Sequence, residues 1–412
     1  MKGRFPLTKT ALAIAVLLSC SALATSATSG PDANTKTYSA SKTAVAIAKE
    51  TIIVDGHIDV PYRVKEKWVD VTKATSDGDF DYPRAVQGGL NAPFMSIYVP
   101  ASLDNSPEST QLAHELIDSV EAIVARAPDK FAIATRPSEV KTHFEQGIIS
   151  LPMGMENGSP LQGDLNNLQA FYERGIRYIT LAHSQANHIS DSSYDLRRKW
   201  KGLSPFGKTL VTEMNNIGIM LDISHVSDDA FYQVIELTKV PVIASHSSLR
   251  RFTPGFERNM NDDMIKKLGE NGGVIMINFG SSFVSKEAGE WRTGMTNARN
   301  ALKEKEGEDS PNLENFEATY RAQVPYPYST LDNVLDHIDH VVSLVGIDHV
   351  GIGSDYDGVG DSLPIGLKDV ASFPNLVQGL LDRQYSRADI EKILSGNLLR
   401  VWQQVEDYAA KH

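Results

Sequence analysis

Short apolar runs recur along the chain and predict eight β-strands. Each run is nearly continuous in apolar residues, which is typical of strands that are buried on both faces. Strands of this kind indicate a parallel sheet covered by helices. The predicted strands cover residues 51–57, 92–99, 149–156, 178–183, 217–225, 240–246, 272–279 and 349–355.

Helical patterns separate most of these strands. Residues 111–127 carry apolar side chains at 3.6-residue spacing, and residues 165–173 do the same before Gly175, which suits a helix end. Ser227 and Asn261 each precede two aspartates, so both predict a helix N-terminus. This alternation predicts an α/β protein, and eight units favour a closed (β/α)8 TIM-type barrel over an open doubly wound sheet.

Two stretches exceed the minimal barrel pattern. Residues 61–91 predict a long loop beside the pocket. Residues 284–330 form an insertion that is charged around 303–311 and rich in proline and tyrosine at 325–328. The sequence leaves three interpretations of the insertion open: a lid, a dimer contact, or a solvated excursion, which is the commonest origin of a charge run.

The first residues predict a secretory signal peptide rather than part of the barrel. Lys2, Arg4 and Lys9 precede an apolar stretch at 11–18 that is too short to span a membrane, and small residues follow it. We therefore expect a secreted or periplasmic protein. Lipidation at Cys20, which follows a loose likeness of a bacterial lipoprotein box, is the alternative.

The predicted organisation is a signal peptide at 1–27, a mature extension at 28–44 and a single barrel with its insertion at 45–412. Loss of the signal removes three positive charges and no negative ones, so the formal net charge changes from −12 to −15. A surface this acidic argues against nucleic acid and anionic membranes as partners. Because Cys20 is the only cysteine, histidines and carboxylates remain as metal ligands in the mature chain.

Seven ionisable side chains end the predicted apolar runs. In a (β/α)8 barrel the chemistry lies at the carboxyl ends of the strands, so these side chains would meet on one face. A single histidine or acid at such a place is more often structural, but the coincidence of so many indicates a metal site. The seven are His57, Asp59, Glu156, His183, His225, His246 and Asp355.

The donor types predict zinc, and their number predicts two ions. His57 and Asp59 are two residues apart, share one face of their strand and can reach one ion. Together with Glu156, His225 and His246 they exceed what one catalytic zinc takes from a protein. Two ions that share Glu156 account for all five, with His57 and Asp59 on one ion and the two later histidines on the other. Such a pair can hold one hydroxide and clamp a carbonyl oxygen.

Three further residues are candidates for handling a substrate. His183 could donate to an oxyanion, with a core histidine as the alternative. Asp355 lies in a segment of small residues and could pass a proton from metal-bound water to a leaving amine. Arg258 carries a bidentate fork that suits a substrate carboxylate, although a surface arginine is the simpler interpretation.

The motifs together resemble the membrane (renal-type) dipeptidases, zinc peptidases of the metal-dependent hydrolase superfamily. The likeness runs in the family's order from about residue 45 to the C-terminus, and the opening His-x-Asp separates it from relatives that open with His-x-His. The motifs are Val54-Asp-Gly-His-Ile-Asp, Gly154-Met-Glu, Leu181-Ala-His-Ser, Leu221-Asp-Ile-Ser-His-Val-Ser, Ile243-Ala-Ser-His-Ser-Ser, Arg258-Asn259, Gly351-Ile-Gly-Ser-Asp-Tyr-Asp-Gly and Gly396-Asn-Leu-Leu-Arg-Val.

The resemblance implies a (β/α)8 barrel with two zinc ions that hydrolyses dipeptides, including some with a D-residue at the carboxyl side. It implies that His183 contacts the scissile carbonyl, Arg258 binds the terminal carboxylate, and Asp355 holds the free amine and relays the proton. Where many relatives have Glu-Gly, this chain has Glu156-Asn157, so the pocket beside the bridging acid is expected to differ. The lipid anchor and the disulfide-linked dimer of the animal members are not implied, and a homodimer stays open.

We therefore expect an exported zinc-dependent dipeptidase in which a metal-bridging hydroxide attacks the peptide carbonyl. One alternative keeps the two metals and hydrolyses another small amide or a lactone. Another, from a different class, is a catalytically dead barrel used for binding, against which the complete ligand set argues. A requirement for a free amine in the substrate would separate the first two.

Overall fold

Parallel strands and helices alternate along the chain in a computed structural model of the protein, which describes residues 37–412. The predicted signal peptide, Cys20 and the first part of the predicted extension lie outside the described residues. The extension's remaining residues run directly into the first helix, which begins at Lys42. Among residues 37–412, no helix combines the length and the apolar character that a membrane crossing requires.

Among residues 37–412, eight of the ten strands form one parallel sheet in the order β1-β2-β5-β6-β7-β8-β9-β10. The remaining two, β3 and β4, pair with each other. The strands are β1 Ile53–Ile58, β2 Leu90–Tyr98, β3 Phe131–Ile133, β4 Ile149–Leu151, β5 Met153–Glu156, β6 Ile176–Thr180, β7 Met220–Asp222, β8 Ile243–Ser247, β9 Val274–Ile277 and β10 Val350–Ile352.

The first and last strands of the sheet meet just beyond β10. The backbone N–H of Asp355 donates to the carbonyl of His57 at 3.1 Å, and the N–H of Asp59 donates to the carbonyl of Tyr356 at 2.9 Å. A carboxylate oxygen of Asp55 also accepts from the backbone N–H of Ser354 at 2.9 Å. These bonds bring the two edges of the sheet together. The predicted (β/α)8 TIM-type barrel is confirmed.

Helices cover the outside of the barrel and fill the insertion. They are α1 Lys42–Glu50, α2 Val60–Glu66, α3 Tyr82–Gly88, α4 Glu108–Arg126, α5 Pro137–Glu145, α6 Leu165–Glu173, α7 Pro205–Ile217, α8 Asp228–Leu237, α9 Asp262–Glu270, α10 Ser281–Val284, α11 Lys286–Glu306, α12 Phe316–Gln323, α13 Leu331–Val345, α14 Phe373–Asp382, α15 Arg387–Glu391 and α16 Asn397–Ala409. The caps predicted at Ser227 and Asn261 are both present, because each side chain accepts a backbone N–H of the first turn.

All eight predicted strands correspond to barrel strands, but two predictions need correction. The run at 149–156 is two strands, β4 and β5, separated by Pro152, whose missing N–H interrupts the ladder. The stretch 61–91 is not one long loop, since α2 and α3 occupy much of it. Each of these helices has seven residues and a proline in its first turn, which leaves too few positions for a periodic pattern.

Large aromatic side chains fill the interior of the barrel beneath its carboxyl-terminal face. Trp402 of α16 packs on Phe94 of β2 with 5.2 Å between ring centroids, and Phe94 packs on Tyr178 of β6 at 5.3 Å. All three side chains are buried. The Tyr178 hydroxyl lies 2.8 Å from Nδ1 of His57, so the core of the barrel supports the first histidine of the site directly.

Candidate metal centre

The strand ends bring all seven predicted side chains together. His57 lies in β1, Glu156 ends β5 and His246 lies in β8, while the other four stand within three residues after their strands. Three groups of them place potential ligand atoms within 4.8 Å of one another. These groups are His57 with Glu156 and His246, Glu156 with His183 and His225, and His57 with Asp59 and Asp355.

Glu156 occupies the middle of the cluster and divides it between its two oxygens. Its Oε2 lies 3.3 Å from Nε2 of His57, which in turn lies 3.4 Å from a carboxylate oxygen of Asp59. Its Oε1 lies 3.1 Å from Nε2 of His225 and 3.2 Å from Nε2 of His246. The two sets of neighbours coincide with the two groups that the sequence predicts around an acid shared by two ions, and the ligand roles themselves stay a prediction.

Buried partners fix the orientation of the histidine rings. Ser245 lies 2.7 Å from Nδ1 of His246, and its hydroxyl donates to Asp222 at 2.6 Å. The hydroxyl of Tyr178 forms the corresponding hydrogen bond with Nδ1 of His57. Because Nδ1 is engaged in both His57 and His246, the Nε2 atom of each ring faces Glu156. Outer partners of this kind are what hold metal-binding imidazoles in place.

The ionisation states favour metal binding at Glu156, His225 and His246. Burial lowers the pKa of both His225 and His246 well below the usual value, so these rings are neutral and can offer lone pairs. Burial raises the pKa of Glu156, but the histidines around it, His57 first among them, outweigh this effect and hold that pKa well below its usual range.

His57 shows an excess of negative charge around it. Burial lowers its pKa, yet the neighbouring hydroxyl of Tyr178 and the carboxylates of Glu156 and Asp59 raise that pKa well above the usual value. The Nε2 atom is fully buried and has no hydrogen-bond partner, and the same is true of Oδ1 of Asp59. A cation between these atoms would satisfy both and balance the carboxylates, so the donor set fits a metal ion.

Asp355 lies three residues after β10 and is buried beside Asp59. Burial raises the pKa of Asp355 to about 7, and the charges of Asp59 and Glu156 act in the same direction. The side chain of Asn278 donates to its Oδ2 at 2.7 Å. A carboxyl group held in this way can bind and release a proton near neutral pH.

His183 stands at the cavity side of the cluster. Its Nε2 lies 3.6 Å from Oε1 of Glu156, and the edge of the Tyr98 ring packs against it with 4.8 Å between centroids. Burial lowers the pKa of His183, which keeps the imidazole neutral. Its Nδ1 is buried without a hydrogen-bond partner. The ring can therefore act as a neutral hydrogen-bond donor toward a bound group.

Arg258 is buried behind the cluster rather than exposed at the surface. Its guanidinium donates to the hydroxyl of Ser247 at 2.6 Å and to the carbonyl of His246 at 2.8 Å. The group also lies over the ring of Phe283, 5.5 Å from the centroid. Its Nε has no partner. The simpler interpretation of a surface arginine is therefore wrong.

A cavity of about 770 Å³ opens above the cluster. Six of the seven predicted side chains line it, and His57 lies beneath them. The insertion 284–330 supplies much of the outer wall, so a purely solvated excursion does not describe it. The insertion residues that line the cavity are Trp291, Arg292, Met295, Thr296, Glu317, Arg321 and Tyr326.

Several residues that support the site were missed in the sequence. Asn278 follows the apolar strand β9 directly, so the strand-end signal that found the histidines applies to it as well. Ser96, whose hydroxyl donates to Oε2 of Glu156 at 3.3 Å, lies inside β2 and gives no such signal. Tyr178 likewise sits within β6, where a polar group becomes visible only once the facing partner is known. Asp222 ends β7, so the strand-end signal applies to it as it does to Glu156.

The family model of the membrane dipeptidases, peptidase family M19, matches residues 41–412. The chain belongs to the membrane dipeptidase family. It is accordingly a metallo-dipeptidase, a hydrolase that acts on peptide bonds. The dipeptidase tcpJ of Claviceps purpurea is 32% identical over 369 residues, which cover 86% of this chain and 77% of that protein.

Solved structures agree with the assignment to the membrane dipeptidase family. The probable dipeptidase PvdM of Pseudomonas aeruginosa is 26% identical, with a TM-score of 0.78 over 89% of this chain and 98% of its own. A metallopeptidase of Rhodobacter sphaeroides is 25% identical, with a TM-score of 0.71 over 86% of this chain and 99% of its own. That protein was solved with a phosphinate mimic of the dipeptide L-Ala-D-Ala.

Proposed function

We propose that this member of the membrane dipeptidase family is an exported dipeptidase that uses two zinc ions. The observation that carries the proposal is the division of neighbours between the two oxygens of Glu156. His57, Asp59 and Glu156 would hold one ion, and Glu156, His225 and His246 the other. Histidine nitrogens and carboxylate oxygens without any sulfur suit zinc.

Zinc at these positions would polarise the peptide carbonyl and make water a stronger nucleophile at neutral pH. The chain's own residues would place the substrate. Because His183 is neutral and faces the cavity, it would donate a hydrogen bond to the carbonyl oxygen as negative charge develops there.

Arg258 and Asp355 would recognise the two ends of the dipeptide. The buried guanidinium of Arg258 has donors to spare and would bind the terminal carboxylate. Asp355, fixed by Asn278, would accept a bond from the free amino group and carry a proton to the leaving amine. Two recognised ends would limit substrates to two residues.

The stereochemistry and the location are parts of the same proposal. The Rhodobacter sphaeroides relative was solved with a mimic of L-Ala-D-Ala, a dipeptide with a D-residue at the carboxyl side, and we propose that this chain hydrolyses such dipeptides. The charged and then apolar N-terminal pattern at 1–27 supports export to the periplasm or the medium.

The test is a metal analysis combined with a substrate panel on the purified protein. We expect about two zinc ions for each chain, hydrolysis of free dipeptides, and no hydrolysis of the same dipeptides after N-acetylation. Equal rates on free and acetylated substrates would instead support a hydrolase of small amides. An inert protein after supply of zinc would support a binding role.

A further inference from the structure

The outer wall of the cavity carries two arginines, both from the insertion. Arg321 is already paired, because Glu317 lies 2.9 Å from its guanidinium and Asp361 lies 3.6 Å from it. Arg292 on α11 forms no ion pair or hydrogen bond with any other side chain among residues 37–412. The wall therefore presents one guanidinium whose donors are unused by the part of the chain that the structure describes.

Aromatic rings hold Arg292 in place. Its guanidinium carbon lies 4.9 Å from the ring centroid of Phe256 and 5.8 Å from that of Phe283. The two rings pack on each other with 5.7 Å between centroids. A guanidinium that rests on aromatic rings keeps its in-plane N–H groups available, and its position costs less entropy to fix than that of a free side chain.

The same platform connects Arg292 to the expected end of the substrate. Phe283 contacts both arginines. Its ring centroid lies 5.8 Å from the guanidinium carbon of Arg292 and 5.5 Å from that of Arg258, so both guanidinium groups border the same ring. Phe256 also packs on Tyr194, which packs on the ring of His225 at 5.9 Å between centroids. Arg292 therefore lies on the cavity wall beside Phe283, the same ring that contacts the buried Arg258.

We propose that Arg292 forms a subsite for an acidic side chain on the carboxyl-terminal residue of the dipeptide. The inference rests on the proposed function, in which Arg258 binds the terminal carboxylate. A glutamate or aspartate at that position carries two carboxylates a few bonds apart, and the two arginines would bind one each. The planar fork of a guanidinium matches a carboxylate in a way that a neutral amide cannot.

The two cavity carboxylates outside the candidate metal cluster, Glu317 and Asp357, are compatible with an acidic substrate side chain. Glu317 is neutralised by Arg321, and Asp357 lies 3.1 Å from the guanidinium of Arg63. Neither carboxylate therefore faces the Arg292 subsite without a partner. A lysine side chain at the same position of the substrate would meet an unpaired cation, so the subsite should discriminate by charge.

The experiment compares kcat/KM for alanyl-glutamate, alanyl-glutamine and alanyl-lysine, each with an L- or a D-residue at the second position. Glutamate and glutamine have nearly the same shape and differ in charge, so their ratio isolates the effect of the carboxylate. We expect the wild-type protein to prefer alanyl-glutamate over alanyl-glutamine by about tenfold, the size of effect that one charge-assisted contact provides.

Variants at Arg292 then locate the preference. Arg292→Gln should bring the glutamate-to-glutamine ratio to about one, and Arg292→Lys should retain part of it, because a point charge replaces the fork. Arg292→Glu should favour alanyl-lysine. Arg299→Ala is the matched control, since Arg299 is exposed on the same helix and does not line the cavity.

Two results would overturn the inference while leaving the dipeptidase proposal intact. One is hydrolysis of the whole panel with no preference for glutamate. The other is a preference that survives unchanged in Arg292→Gln, which would place the recognition elsewhere. Failure to hydrolyse any free dipeptide would overturn the proposed function itself, and the subsite with it.

Discussion

A single carboxylate, that of Glu156, holds the centre of the site. Its two oxygens have different neighbours, because Oε2 lies beside His57 whereas Oε1 lies beside the other three histidines of the site. We therefore expect Glu156→Gln to lower kcat/KM by about 100-fold or more, because an amide offers one oxygen and no charge. Steady-state kinetics with metal analysis of the same samples would measure this.

Glu145→Gln, an exposed change on α5, is the control for Glu156→Gln and should behave as the wild-type protein does. Near-normal turnover and full metal content in Glu156→Gln would contradict a bridging role.

Gly358 matters because of the space that it leaves empty. A Cβ atom there would overlap with carboxylate oxygens of both Asp59 and Asp355. Gly358→Ala should therefore displace these two acids and lower kcat/KM by about tenfold or more, without removing any side chain of the site. Gly289→Ala on α11 is the matched control, since its Cβ would make an ordinary contact. Equal activity of the two variants would count against a tight fit around the acids.

At the level of single residues, the sequence predicted the site residues that end an apolar run. His57, Glu156 and His246 were found because a charge at the end of a buried strand needs a partner. Ser96 and Tyr178 were missed because their partners come from other strands, a relation that one strand's pattern does not contain.

Among the elements, α13 connects the insertion to the barrel through one histidine. His337 is fully buried, accepts the backbone N–H of Leu249 at 3.0 Å, and has its other ring nitrogen 3.2 Å from the carbonyl of Val284. Burial lowers the pKa of His337 to about 3. The folded protein therefore keeps this ring neutral at pH values where the unfolded chain protonates it.

This difference makes the stability depend on pH. Between the unfolded pKa near 6.5 and the folded pKa of about 3, the unfolded state binds the extra proton, so stability falls as the pH is lowered. From about pH 7 to pH 5 the wild-type protein should lose about 2 kcal/mol more than His337→Gln does. Chemical unfolding curves at both pH values would measure it, with the exposed His412→Gln as control. Parallel losses in all three proteins would exclude the effect.

The elements were predictable where local signals were strong. The helix at 165–173 has the bounds that its spacing and Gly175 indicate, and the capped helices after Ser227 and Asn261 begin as predicted. The division of 149–156 was not predicted, because both halves are apolar and the pairing of β4 with β3 is a tertiary relation.

For the whole molecule, metal binding and folding should be coupled. The donors come from strands along the entire barrel and converge only in the folded chain. Removal of metal with a chelator should therefore lower the melting temperature by at least about 4 °C, and zinc should restore it. Glu156→Gln should show a smaller shift. Calorimetry with and without chelator would measure both, and identical melting curves would contradict the coupling.

The closed barrel could be predicted from the number of strand–helix units, since eight parallel strands with helices have one common closed arrangement. The position of the insertion could not. Its charged composition matches a solvated segment, and only the packing of α11 and α12 over the cavity reveals Arg292 and Arg321 as part of the wall.

The hydrogen bonds that close the barrel also determine when the site can be completed during synthesis of the chain. The segment around His57 leaves the ribosome long before the segment around Asp355, yet the two are joined backbone to backbone in the finished protein. A nascent chain that has not yet delivered its last barrel strand thus lacks a completed centre. Peptide cleavage would begin only after translation has nearly ended, so incomplete chains would carry no active hydrolase.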